Sequence, residues 1–428
     1  MEVVKEVDYF TDHAVLKDPY EYFEKLRAEG PVTRLRDRDL VVVTGFEEAL
    51  EVLKNTEDFS SVIAPGGPVM PLPFEPEGED IAAQIEAHRD AIGGADLIVA
   101  YDDGKHLASR SILNRLFTPS RLRANEEYMT RLADELVIAA VAKGKCELVK
   151  EIAVPFVTLV VADLLGVPKD DRELFMQVIA AGPPPGNMDP AGDVFSPDNR
   201  AVSPLEYMAG FFFRYVADRR ANPREDVLTD LATATFPDGS VPEALEIVRL
   251  ATFLFAAGQD TSAKLLGNAM RFILETPGLE QRLRDDRNLI PPFLEEVLRL
   301  EGSTKATFRL ARKATRIGDV AIGAGQRVMV AFAAANRDPR RWENPNAFEI
   351  GRPKIKEHVA FGRGAHTCSG APLARAEIRV ILDRFFEHTS SIAFSAEKHG
   401  PAGARGLEYE PSYIIRGLEE LHLDLKAK

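Results

Sequence analysis

Cysteine and tryptophan are scarce in this chain, two and one residues out of 428, and no run of about 18 apolar residues occurs. Cys146 and Cys368 stand in unrelated surroundings, so a disulfide framework is excluded and the fold must rest on its hydrophobic core. Without a long apolar run no membrane span is expected. The stretch Met1–Asp8 carries acids where a secretory signal needs an apolar centre, which points to a cytoplasmic protein. Positive charge is also short: 53 Lys and Arg against 67 Asp and Glu leave a formal net charge of -14. Binding a phosphate backbone requires the opposite surplus, so nucleic acid is not an expected partner. The acidity fits plain solubility.

What remains is ordinary globular composition, with enough apolar residues for a core that can enclose a cofactor. Short β-rich runs at Val32–Leu35 and Leu40–Thr44 flank a charged turn and predict a hairpin, followed by a helix over Phe46–Leu53. Five prolines between Pro65 and Pro76 predict a long loop, broken by a helical stretch near Ile81–Ala91. Helical patterns dominate from Lys105 to Ser303, except for a second loop spanning Gly182-Pro183-Pro184-Pro185-Gly186 and the polar segment to Ser203. Strands are expected at Ala306–Leu310, Val320–Ile322 and Arg327–Ala331, and a last helix at Ala371–Glu387. The expectation is a single domain over 1–428, mainly α with a minor β part.

One helical pattern stands out. Ser240-Val241-Pro242-Glu243 reads as a capping box, and the apolar pattern it opens runs to Thr276, where Pro277-Gly278 stops it. The middle of so long a helix must be buried, yet Phe253-Leu254-Phe255-Ala256-Ala257 runs into Gly258-Gln259-Asp260-Thr261-Ser262. A glycine there costs about 1 kcal/mol relative to Ala, and a buried acid costs more unless paired. The Thr261 hydroxyl can also compete for the Ala257 carbonyl, loosening the helix and leaving room for a small ligand. A kink with a solvated polar patch would satisfy the same residues.

A second break in the local rules is Phe361-Gly362-Arg363-Gly364-Ala365-His366-Thr367-Cys368-Ser369-Gly370, three glycines around a cysteine just before a helix. Glycines let backbone approach a flat ligand closely, and turn amides at a helix start stabilise a thiolate. No second cysteine is near enough in sequence to complete a zinc or iron-sulfur set. One thiolate suits a metal that brings its other ligands with it. Cys146 has no such setting and reads as incidental.

These residues resemble the cytochrome P450 family, whose haem-binding loop is matched by Phe361, Gly364, Cys368 and Gly370. Three further stretches resemble that family in the right order: Ala257-Gly258-Gln259-Asp260-Thr261; Glu296-Val297-Leu298-Arg299; and Ala335-Asn336-Arg337-Asp338-Pro339 with Trp342, Pro345, Phe348 and Arg352. Tyr101 to Arg121 is similar to the family's early haem-contacting helix. The resemblance implies a triangular helical core with small antiparallel sheets, and haem b (iron protoporphyrin IX) as cofactor.

Carried over residue by residue, the resemblance implies Cys368 as the axial iron ligand, its electron donation helping O–O cleavage, with Phe361 shielding the sulfur. His106, Arg110, Arg309 and His366 would neutralise the haem propionates, and Ala257, Gly362 and Gly370 would lie against the ring. Gly258, Asp260 and Thr261 would form the oxygen-activating stretch, the last two delivering protons. Glu296, Arg299 and Arg352 would be a buried structural trio. Leu97, Ile98, Phe253, Ala256, Thr304, Thr307, Tyr413 and Ile414 would face substrate. The segment Ser303-Thr304-Lys305 departs from the Pro-Val pair of many relatives, which bears on substrate rather than reaction.

The function implied is insertion of one oxygen atom from O2 into a hydrophobic small molecule. No Gly-rich dinucleotide fingerprint or iron-sulfur cysteine set is present, so electrons would come from a separate ferredoxin, of 2Fe-2S or similar type, and its reductase. Arg115, Arg363 and Arg375 would lend positive charge to that docking side, and the chain would be a monomer. A peroxide-driven peroxygenase and a non-catalytic haem-binding or recruitment module remain the alternatives.

Overall fold

The computed structural model describes residues 7–69, 71–181 and 204–428, so the expected loop from Gly182 to Ser203 lies outside the described residues. Its axis is the helix Ala244–Glu275, 32 residues and about 48 Å long. Ile247, Leu250, Ala251, Leu254 and Phe255 are buried in its first half, and Leu265, Leu266, Ala269, Met270 and Ile273 in its second. Burial on most sides is what makes a helix this apolar stable. It ends at Thr276, which is extended because the following Pro277 disfavours helical geometry there. Its start differs from expectation: Glu243 is the N-cap without a side-chain bond, and Ser240 gives its hydroxyl to Asp238 at 2.6 Å. The capping box does not form.

Helices Val154–Leu164, Pro204–Ala221, Ile290–Glu301 and Ala371–His388 pack against this axis. A further helix, Pro119–Lys143, takes Pro at its first turn and ends at Gly144 with φ +69°; it lies along Ala371–His388. The helix expected over Ile81–Ala91 divides at His88 into Ala82–Ala87 and a tight turn Arg89–Ala91. There the Arg89 guanidinium is drawn to Glu86, Asp102 and the Ala100 carbonyl.

The β part is small. Five strands lie side by side in the order Val32–Leu35, Leu40–Val43, Arg327–Val330, Thr307–Ala311, Phe59–Ser60. The first two form the expected hairpin, Val32 opposite Val43 and Leu35 opposite Leu40. Contrary to a purely antiparallel arrangement, Leu40–Val43 runs parallel to Arg327–Val330. All four of its side chains are buried, as a strand covered on both faces requires. A three-stranded sheet joins Lys145–Glu147, His422–Ala427 and Thr389–Phe394. Cys146 sits in it opposite Leu423, buried, its thiol pushed up to about 12 by that burial. It is a small apolar side chain there, as its sequence context implied.

Candidate active site

Three elements converge on one cavity: the middle of the long helix, the cysteine loop and the strand Thr307–Ala311 with the loop before it. The loop takes its shape from glycine. Gly362 and Gly364 have φ +66° and +76°, and a Cβ on Gly364 would come within 2.4 Å of the Leu53 carbonyl oxygen. The Cys368 amide closes the loop on the Phe361 carbonyl at 2.9 Å, and the helix Ala371–His388 starts just beyond. The sulfur opens into the cavity. Surrounding protein pushes its thiol pKa up, while the Gly370 amide, the Arg110 charge and the Ala371 amide pull it down. The Phe361 ring shares the cavity wall, with the Arg375 guanidinium 4.7 Å from its centroid.

Along one side of the cavity, reaching into this loop, basic side chains gather; Asp102, the acid whose charge reaches them, is itself bonded to Ser60 and Arg89. His106, Arg110, Arg309 and His366 all line it, the two imidazole rings 3.9 Å apart. Arg309 is buried and, among the described residues, donates to the Thr307 hydroxyl and the Phe308 carbonyl, at 3.2 and 2.8 Å. Arg110 donates to the Thr367 carbonyl. Among the described residues neither arginine has a carboxylate within ion-pair distance. Burial lowers the Arg309 pKa to about 10 and, with Arg309 and His106 beside it, lowers His366 to about 2. Charges crowded this way in an apolar cavity call for an anionic ligand. A group with two carboxylates and a metal open to one thiolate fits, as haem does.

The long helix supplies the other wall. Phe253, Leu254, Ala257, Gly258, Thr261 and Leu265 line the cavity on one helical face. Thr261 donates to the Ala257 carbonyl at 2.9 Å, the back-bond its position predicts. Asp260 points away from the cavity, where Lys264 holds it at 2.8 Å, and burial raises its carboxyl pKa. The Ser303 hydroxyl donates to the Thr261 carbonyl at 2.6 Å, tying the loop after the core helix to the same spot.

Behind the cysteine loop, Glu296 accepts from Arg299 Nη2 at 2.7 Å and Arg352 Nε at 3.1 Å. All three side chains are essentially sealed from solvent, at 0%, 0% and 3% exposure. Arg299 also donates to the carbonyls of Asn336, Pro345 and Ala347. The Asn336 side chain in turn accepts from the Val359 amide at 2.8 Å, two residues before Phe361. This chain of bonds fixes the approach to Cys368.

Of the residues expected to face substrate, Ile98, Phe253, Thr304 and Thr307 line the cavity, and four do not. Tyr413 is buried in the amino-terminal core, edge-on to Phe10 and Phe308, with its hydroxyl on the Gly66 carbonyl at 3.0 Å. Ile414 packs on that same core, so this turn backs the wall rather than forming it. Leu97 precedes the tight turn Ile98–Ala100, which presents Ile98 and Val99 instead. Ala256 is one position off the helical face defined by Leu254, Ala257 and Thr261. Walls that sequence reasoning missed include Val99, Leu113, Phe117, Val161 and Leu265. Leu113, Phe117 and Leu265 follow Arg110 and Thr261 at helical spacing, which was the available signal; Val161 had none.

The comparisons agree with this geometry. The family model described as "Cytochrome P450" matches residues 203–392. "Cytochrome P450 144" of Mycobacterium tuberculosis is 30% identical over 426 residues, covering 99% of this chain and 92% of that protein. The structure of Mycobacterium marinum cytochrome P450 CYP150A6 in the substrate-free form is 49% identical, with TM-score 0.92 and 99% of both chains covered. CYP109E1 from Bacillus megaterium in complex with testosterone is 25% identical, with TM-score 0.78 over 95% of this chain and 99% of that one. With its cysteine loop, basic cluster and polar helix turn lining one cavity, the chain belongs to the cytochrome P450 family of haem monooxygenases.

Proposed function

We infer that residues 1–428 work as one cytoplasmic, monomeric monooxygenase domain that holds haem b and transfers one oxygen atom from O2 to a hydrophobic small molecule. The observation that carries this reading is the convergence of Cys368, the basic cluster and the Gly258-Thr261 face of the long helix on one mostly apolar cavity. When bound, haem supplies the redox-active iron that activates O2. Cys368 is the residue to ligate that iron, its charge supported by the Gly370 and Ala371 amides. Arg309, Arg110, His106 and His366, which line the cavity, would hold the two propionates, and Phe361 would shield the sulfur. Ala257, Gly258, Gly362 and Gly370 leave room for a flat ring.

On the opposite side Thr261 positions a water by its hydroxyl, and Asp260 holds the proton that Thr261 passes on. Phe253, Ile98, Thr304 and Thr307 turn an apolar surface with two hydroxyls toward substrate, which suits a terpenoid, steroid, fatty acid or aromatic ring. The testosterone bound in CYP109E1 supports the hydrophobic class. Electrons come from a ferredoxin and its reductase. Of the three docking arginines, Arg375 is committed to Glu295 at 2.6 Å, while among the described residues Arg115 and Arg363 bond backbone carbonyls.

Purified haem-loaded protein, reduced under carbon monoxide, is expected to show the thiolate-type Soret band. Cys368→Ser should abolish it. A Cys368→Ser protein with the band undiminished overturns the reading, and peroxide-driven turnover exceeding ferredoxin-driven turnover overturns the electron source.

A further inference from the structure

The Asp260 carboxylate is largely buried and turned toward a cation. It meets Lys264, one helical turn on, whose ammonium lies 2.8 Å from Asp260 and 2.5 Å from Glu410. The Lys264 side chain is only 3% exposed, Asp260 14% and Glu410 18%, so the ammonium is sealed between two acids that each keep a small opening to solvent. Glu410 sits on the carboxy-terminal hairpin in which Tyr409 pairs with Leu418 and the Glu410 amide donates to the Gly417 carbonyl. Gly417 makes the arrangement possible: a Cβ there would fall 2.2 Å from Lys264 Cγ. Two buried carboxylates sharing one ammonium leave a surplus negative charge, which a proton on either acid removes. Burial raises the pKa of both acids. The other charges nearest the trio are Glu419, beside Glu410, and Lys305, which Lys264 repels.

We propose that Lys264 and Glu410 are positioning residues that extend the Asp260-Thr261 pair into a proton relay opening beside the carboxy-terminal hairpin. The relay rests on the reading of Asp260 and Thr261 as the proton-delivery pair. In each cycle an N–H bond of the Lys264 ammonium breaks as an O–H bond forms on Asp260. The neutral amine then takes the proton of the Glu410 carboxylic acid, and the Glu410 carboxylate is reprotonated by water. One proton moves inward and no electron is transferred. Asp260 then holds that proton beside Thr261, the neighbour that lines the cavity.

The test uses the haem-loaded protein with its redox partners and compares Glu410→Gln, Lys264→Met and Asp260→Asn with the parent. Glutamine keeps an oxygen for Lys264 to bond but cannot carry the proton, so a merely structural role would survive Glu410→Gln. The relay predicts that Glu410→Gln and Lys264→Met lower product formed per reduced nicotinamide about tenfold, with peroxide released instead. They should also raise the solvent deuterium isotope effect, with the carbon monoxide Soret band and melting temperature of Glu410→Gln unchanged. Independently of turnover, Glu410→Gln or Asp260→Asn should remove a protonated-carboxyl stretch from the infrared difference spectrum of the resting protein. Full coupling in both Glu410→Gln and Lys264→Met, with Asp260→Asn uncoupled, overturns the relay and leaves the acid-alcohol pair standing. Full coupling in all three overturns the pair itself.

Discussion

The buried trio behind the cysteine loop offers a sharp test of what holds the haem site in shape. Glu296 accepts from Arg299 Nε at 2.9 Å, Arg299 Nη2 at 2.7 Å, Arg352 Nε at 3.1 Å and the Glu349 amide at 3.0 Å. Glu296→Ala leaves two guanidiniums without their counter-charge, in a place water does not reach. Removing one partner of such a buried pair costs about 3–5 kcal/mol, a large share of the 5–15 kcal/mol that holds a typical domain folded. The folding equilibrium should fall roughly a hundredfold to several thousandfold. With a urea slope of about 3 kcal/mol/M, the unfolding midpoint drops by about 1–1.7 M. Trp342 is the one tryptophan in the chain, is buried, and lies with its ring 5.6 Å from the Arg299 guanidinium carbon. Its emission therefore reports on the clamped segment directly. Glu349 is the control: it pairs with Arg352 at 3.3 Å but is 45% exposed, so Glu349→Ala should change stability by no more than about 0.5 kcal/mol. A Glu296→Ala midpoint within that same margin of the parent would refute the reasoning.

Other expectations follow from the same coordinates. Arg309→Ala removes a buried guanidinium that has no acid of its own, and haem retention should weaken about tenfold or more, measured by transfer of haem to apomyoglobin. Gly364→Ala forces a side chain into φ +76° and against the Leu53 carbonyl. It should cost more than the roughly 1–2 kcal/mol of a left-handed residue alone, seen as a lower melting temperature and a fading carbon monoxide Soret band. Glu295, buried against His358 at 3.2 Å and Arg375 at 2.6 Å, has its pKa lowered from 4.5 to about 2. Its depressed folded pKa gives stability that is fully present above about pH 4.5 and is lost as pH falls toward 2. By linkage this amounts to about 3 kcal/mol, less some screening because Arg375 is half-exposed. A Glu295→Gln protein should show a flatter stability profile across that window, and an identical profile would contradict the assignment.

Legibility in the sequence tracked how local each cause was. The hairpin at Val32–Val43, the strand Val320–Ile322 and the end of the long helix depend on neighbours within a few residues, and they were readable. The capping box failed because the helix begins at Ala244 with Glu243 as its N-cap, which leaves Ser240 outside the first turn with its hydroxyl on Asp238. Tyr413 was misread because its burial depends on Phe10 and Gly66, more than 340 residues away in the chain. Val161 and Val99 escaped notice since an apolar side chain at a cavity wall has the same pattern as one in a core.

The residues alone pointed to the chemistry: a lone cysteine framed by glycines, and an acid and an alcohol interrupting an apolar helix, each break local preference as functional sites do. They also determined the family, because four motifs keep their order along the chain. Tertiary structure decided where those groups point. It set four basic side chains from three separate segments around one opening, turned Asp260 out of the cavity onto Lys264, and brought Glu410 from the far end of the chain to the same ammonium. Such groupings join residues up to 260 positions apart, and electrostatic partners at that distance are chosen by packing, since charge along a sequence carries no direction in space.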